Sequence, residues 1–194
     1  MGYHIYTTEG IILKRTTFGE ANILVHVLTE DLGLIIASAR SARLGVSKLR
    51  PALQEYTHVS ISCIKAKNGW KITNVADKGS FFFGYPEYSH RFLSQISVVL
   101  MKMITGESPH KEIFGTVKSG FQKLKVFNEE QLSDLEVLMV IRILYELGYV
   151  VKNDFTEKYL VDLTDWSVVL INHTQSDRLS LVPVINKALK ESQL

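Results

Sequence analysis

Apolar and polar positions alternate through the first third of the chain and then change period. Ile23, Val25 and Val27 are separated by single residues, with Asn22 and His26 on the opposite side, and Val59, Ile61 and Cys63 alternate with His58, Ser60 and Ser62. A period of two marks a half-buried strand, because successive side chains point to opposite faces. Gly10 to Arg15 and Leu34 to Ala37 add two more short runs, the second following the turn-like Glu30-Asp31-Leu32-Gly33. Asn68-Gly69 predicts a hairpin turn, with Trp70 and Ile72 on one face of the return strand and Lys71 and Thr73 on the other. The one long connection, Ser38 to Gln54, is expected to carry a short helix over Ser47–Leu53 with Ser47 as its cap. Many short strands in so small a unit suggest a barrel that closes on itself and removes exposed edges. Five strands with one interposed helical turn is the outline of an OB-fold.

Near Lys78 the spacing becomes helical. Phe92, Ile96, Val99/Leu100 and Met103/Ile104 form one stripe, and Ile113, Val117, Phe121 and Leu124 form another after Ser108-Pro109. A third helix is expected over Glu129–Leu147 with Gly148 as its stop. Phe81-Phe82-Phe83 is read as core filler ahead of the first helix. Residues 155–180 show no clear period, and Pro183–Gln193 is expected to close the chain as a short helix. The expected class is α+β: an OB-fold β-barrel over residues 1–79 and an α-helical domain over 80–194.

The composition fits an ordinary globular protein. The chain has 194 residues, 46% hydrophobic and 22% charged, and a formal net charge of only +2. The distribution of charge is more telling: residues 1–76 hold nine Lys/Arg against five Asp/Glu, and residues 77–194 hold thirteen against fifteen. A basic front third hints at a polyanionic partner. Cys63 is the single cysteine, so no intramolecular disulfide or CxxC metal knuckle can form. The N-terminus lacks the pattern of a signal peptide, and no apolar run approaches the ~20 residues that span a bilayer. A cytoplasmic location without a membrane partner is expected.

Catalytic signatures are missing. The chain contains no phosphate-binding glycine motif, no HExxH and no GxSxG, and the histidines at 4, 26, 58, 90, 110 and 173 are dispersed. Asp162 and Asp165 would face one another if helical, but have no third ligand nearby. The expectation is therefore no catalytic residue, no metal and no cofactor. The basic segment is richer. Arg40, Arg43, Lys48 and Arg50 fall in a stretch with no acid between Asp31 and Glu55, spaced by small residues that let a backbone approach phosphates. Lys65, Lys67 and Lys71 flank the Asn68-Gly69 turn, and Lys14 and Arg15 follow the first apolar run. Clustered cations beside aromatic platforms hold single strands without sequence readout. Tyr56 and Trp70 are the available aromatics, and Trp70 is read first as a core residue.

Six blocks in order resemble the RecO family of recombination mediators. They are Glu9-Gly10-Ile11-Ile12-Leu13-Lys14, Phe18-Gly19-Glu20-Ala21-Asn22, Leu28 to Leu34, Ala39-Arg40-Ser41-Ala42-Arg43, Ser47-Lys48-Leu49-Arg50 and Leu53-Gln54-Glu55-Tyr56. Further on, Leu144-Tyr145-Glu146-Leu147-Gly148-Tyr149 is similar to a helix end of that family. The resemblance implies an OB-fold followed by helices, binding of single- and double-stranded DNA, strand annealing, and loading of the RecA recombinase together with RecR. It also implies docking of the acidic, apolar-ended tail of the single-stranded-DNA-binding protein, for which Arg142, with Lys123 and Lys125 as second choice, is the candidate cation. Two departures stand out: Val150 to Tyr159 contain no cysteine where many members carry a four-cysteine zinc site, and the chain is short for the family, which suggests a reduced helical domain. A non-enzymatic protein–protein adaptor and an RNA-binding OB-fold protein are the alternatives.

Overall fold

The computed structural model describes residues 4–44, 47 and 49–192. Five strands come first: β1 (Ile5–Phe18), β2 (Asn22–Thr29), β3 (Gly33–Ala39), β4 (Thr57–Ala66) and β5 (Gly69–Ser80). They close into a barrel in the order β1-β2-β3-β5-β4, all neighbours antiparallel except the parallel pair β3–β5. This is the OB-fold barrel, followed by helices. β1 reaches well beyond the expected Gly10–Arg15. Its first half pairs with β4 and its second half with β2, and a register shift between Ile12 and Lys14 lets it serve both. The interior is filled by the positions that alternation assigns inward, among them Ile23, Val25, Val27, Ile35, Ala37, Val59, Ile61 and Cys63. Trp70 belongs to the same core and is 5% exposed.

The β4–β5 turn consists of Lys67 and Asn68, and Gly69 opens β5 at φ 95°, a conformation glycine adopts without steric cost. The expected helix over Ser47–Leu53 is absent among the described residues of that stretch, which form turns instead, with Arg50 N–H donating to the Ser47 carbonyl (3.4 Å) and Leu53 N–H to that of Leu49 (3.2 Å). Residues 104–114 form one compact unit with residues 1–84. Lys111 pairs with Asp31 at 2.9 Å, and a Cβ on Gly33 would meet the Ser108 carbonyl oxygen at 2.3 Å.

The second unit comprises residues 85–103 and 115–194. The helices along the chain are α1 (Ser89–Met103), α2 (Lys111–Gln122), α3 (Glu129–Glu146), the single turn α4 (Glu157–Leu160) and α5 (Val168–Glu191). α3 is the hub. Asn128 and Gln131 form a reciprocal capping box at its start, which satisfies two otherwise orphaned N–H groups. Residues Val137 to Leu144 are all buried, and all but Arg142 are apolar, as expected of a helix packed on every side. Gly148, at φ 81°, ends it. α5 is the largest difference from expectation. It starts at the Ser167 cap, whose side chain accepts from Leu170 N–H, and runs for 24 residues through Pro183. Among the described residues no helix is long and apolar enough to cross a membrane.

Candidate nucleic-acid interface

The outer face of β1, β2, β3 and β5 carries two cross-strand ladders. In the first, Lys14 lies opposite His26 and His26 opposite Ile36. In the second, Thr16, Leu24, Ser38 and Lys71 follow one another across four strands. Alternation produces both, because the neighbours Ile23, Val25, Val27, Ile35 and Ala37 face the core. A cation therefore stands at the end of each ladder, with aliphatic and imidazole surface between. Phe18 and Ile36 are 59% and 49% exposed. His26 is held below its ordinary pKa of 6.5, first by burial and then by the Lys14 charge, and its Nδ1 is buried without a partner among the described residues. The face thus offers fixed positive charge, one neutral imidazole at neutral pH and two exposed apolar side chains, Phe18 and Ile36. The β2–β3 side of an OB-fold, with its flanking loops, is where this architecture binds oligonucleotides.

The arginine segment is fastened beside this face. Ser41 N–H donates to Asn22 Oδ1 (3.0 Å), Arg43 N–H to the Ala21 carbonyl (3.0 Å) and Arg43 Nη1 to the Glu20 carbonyl (3.0 Å). These bonds tie residues 41–43 to the β1–β2 turn. Arg40 and Arg50 are exposed, and Lys48 lies outside the described residues. Lys14 on β1 and Lys71 on β5 thus stand at opposite sides of this four-strand face, and Arg40 and Arg43 lie in the segment that follows β3. Arg15 takes the other face of β1 and is half-buried. Lys67 is exposed in the β4–β5 turn. Lys65 is engaged, bonded to Glu107 and 5.5 Å from the centre of the Trp70 ring, so part of its charge is offset. Sequence reasoning missed His26, Ile36 and Phe18 as members of the face. The alternation that put His26 opposite Val25 and Val27 was the available signal.

The other expected site residues are placed differently. Arg142 is fully buried, so it is not a surface cation for a partner's carboxylates. Its Nε, Nη2 and Nη1 donate to the carbonyls of Tyr159, Asp162 and Leu163 at 2.9, 2.9 and 3.2 Å. Lys123 is half-buried and Lys125 exposed, with the Lys125 ammonium 4.4 Å from the centre of the Tyr85 ring. Asp162 and Asp165 lie in non-helical chain, where each carboxylate accepts a nearby backbone N–H, from Thr164 and Ser167 respectively. Cys63 is enclosed in the barrel core, and burial pushes its thiol up to about 12. Among the described residues no three His, Cys, Asp or Glu side chains converge as metal ligands.

Residues 1–77 match the family described as Recombination protein O N terminal. The chain is 24% identical over 145 residues to the DNA repair protein RecO of Heliobacterium modesticaldum, covering 75% of this chain and 52% of that protein. It is 29% identical over 111 residues to the DNA repair protein RecO of Thermodesulfovibrio yellowstonii, covering 56% and 44%. Over 64 residues it is 38% identical to the protein of that name from Dehalococcoides mccartyi, covering 33% and 25%. The chain thus spans about half, or less, of the length of these relatives. Residues 1–77 are thus similar to the N-terminal domain of RecO proteins, and the relatives that the chain resembles are named for DNA repair.

Proposed function

We propose that this chain acts in DNA repair as a non-enzymatic, RecO-type recombination mediator whose barrel binds DNA on its outer β1–β2–β3–β5 face. One observation carries the reading: two ladders ending in Lys14 and Lys71, flanked by Arg40 and Arg43, on the side of the barrel where OB-folds take oligonucleotides. Lysine and arginine supply the sequence-independent attraction to phosphates, and the apolar surface of Phe18 and Ile36 suits unstacked bases. Single strands would use both features, and duplexes chiefly the cations. Holding two strands weakly and without sequence preference is what annealing requires. Loading of RecA with RecR, and docking of the single-stranded-DNA-binding protein's tail, extend the proposal by family resemblance, in a cytoplasmic setting. Arg142 has no part in that docking, which leaves Lys123 and Lys125 as the candidate cations.

The test is a paired charge reversal, Lys14→Glu with Lys71→Glu, read by fluorescence anisotropy on a labelled single strand. Loss of about two phosphate contacts should weaken binding at least tenfold at low salt. Affinity equal to that of the unaltered protein would remove this face from the account. The exposure of Phe18 and Ile36 also suits a protein partner. An adaptor would keep its binding as salt rises, whereas DNA binding would not.

A further inference from the structure

Apart from the ladders, the barrel unit holds a pocket of about 330 Å³ lined by Arg15, Gln54, Glu55, Tyr56, Phe82 and Phe83. Its walls are aromatic and fixed by the backbone. Phe82 is near-parallel to Tyr56 at 6.1 Å, and Phe83 meets Phe82 edge-on at 5.4 Å. Ser80 Oγ accepts the N–H groups of both Phe82 and Phe83 (3.0 and 3.1 Å). Tyr56 is held at φ 61° while its N–H donates to the Ile12 carbonyl (2.7 Å) and its own carbonyl accepts from Phe81 N–H (2.8 Å). A bulky residue in the left-handed region is strained, and such strain is concentrated at binding and catalytic sites. Phe83 remains 65% exposed. An aromatic ring held this way is a platform looking for a flat partner.

The polar lining is specific in kind. Glu55 Oε1 accepts the Arg15 N–H at 2.8 Å, which orients the carboxylate and leaves Oε2 as an acceptor. Gln54 uses its Nε2 on the Arg50 carbonyl (2.8 Å), leaving its own side-chain oxygen as a second acceptor. Arg15 supplies donors, and its Nε is buried without an acceptor among the described residues. Two acceptors beside a guanidinium match one base edge best. Guanine presents two adjacent donors, N1–H and the 2-amino group, next to the O6 acceptor, and no other DNA base has that order.

We infer that this pocket takes a single unstacked guanine from the DNA strand, stacked on Phe83, with its N1–H and 2-amino groups on Glu55 and Gln54 and its O6 toward Arg15. The inference rests on the proposed binding of single strands. It adds a base preference to a surface that otherwise reads only phosphates. The Gln54–Arg50 bond joins the pocket to the arginine loop, so one strand can engage both.

The test compares three 15-mers by anisotropy: all dT, dT with dG at every third position, and the same with deoxyinosine replacing dG. Deoxyinosine keeps N1–H and O6 but lacks the 2-amino group. The dG oligomer should bind at least about fivefold more tightly than all-dT, and deoxyinosine should lose most of that gain. Glu55→Gln, which keeps the oxygen that accepts from Arg15 N–H, should collapse the dG-to-dT ratio toward one, with circular dichroism as the check on folding. Equal binding of all three oligomers by the unaltered protein overturns the pocket while leaving DNA binding standing. A dG preference that persists in Glu55→Gln also overturns it. Failure to bind any of the three overturns both readings at once.

Discussion

The guanidinium of Arg142 lies 4.3 Å from the centre of the Trp166 ring and donates to three backbone carbonyls at the same time. Burial pulls its pKa down to about 10, so it is still charged at neutral pH. The planar fork of arginine suits three carbonyls spread over residues 159–163, and an ammonium could not reach them in one geometry. This side chain therefore pins the segment between α4 and α5 to α3.

Arg142→Ala should destabilise the helical unit by about 3 kcal/mol or more, because it leaves three carbonyls without their donor and a cavity beneath Trp166. Urea unfolding followed by circular dichroism would measure it. A change under about half a kcal/mol would show that solvent satisfies those carbonyls.

Charge reversal in the arginine loop should separate two effects. Arg40 is exposed, so Arg40→Glu should weaken DNA binding severalfold with little change in stability. Arg43 also holds the Glu20 carbonyl, so Arg43→Glu should weaken binding and cost about 1 kcal/mol of stability as well. Equal stability losses for both variants would contradict the contacts described for Arg43.

His26 gives a pH prediction. Its folded pKa lies below 6.5, so below that pH the unfolded chain binds more protons than the folded one. Stability should be full above pH 6.5 and should decline as pH falls from there through the lower, folded value. Bound phosphate would favour the charged ring, so DNA affinity should rise over the same fall in pH. His26→Gln should flatten both trends, measured by thermal melts and anisotropy between pH 5 and pH 8. Unaltered slopes in the variant would assign them to another group.

The strands were legible wherever one face is buried. Val59, Ile61 and Cys63 announce β4 because the core demands them at every second position. The first half of β1 was not legible, since Ile5, Tyr6 and Thr7 are exposed in the folded barrel and carry no inward pattern. α5 escaped for a different reason. Its buried residues Leu170, Ile171 and Thr174 resume only at Leu181 and Ile185, and the gap is filled by Asp177 and Arg178. Those two are kept for ion pairs with Lys158 and Asp134, which breaks the apolar period. The arginine loop was visible as composition, but its fastening to Gly19-Glu20-Ala21 depends on the β1–β2 turn folding beneath it. Arg142 could not be placed from spacing at all, because its partners are backbone carbonyls about twenty residues away, which no side-chain pattern records.

The salt dependence of single-strand binding by the unaltered protein tests the proposed phosphate contacts themselves. If about four to six cations touch phosphates, log K should fall against log salt concentration with a slope of roughly −3 to −4, from ~0.7 per phosphate on single strands. Anisotropy titrations on a labelled oligo-dT over a tenfold range of salt would give the slope. A line of that steepness is the expected result. Affinity that stays flat across the range, or no binding at the lowest salt, would contradict the account.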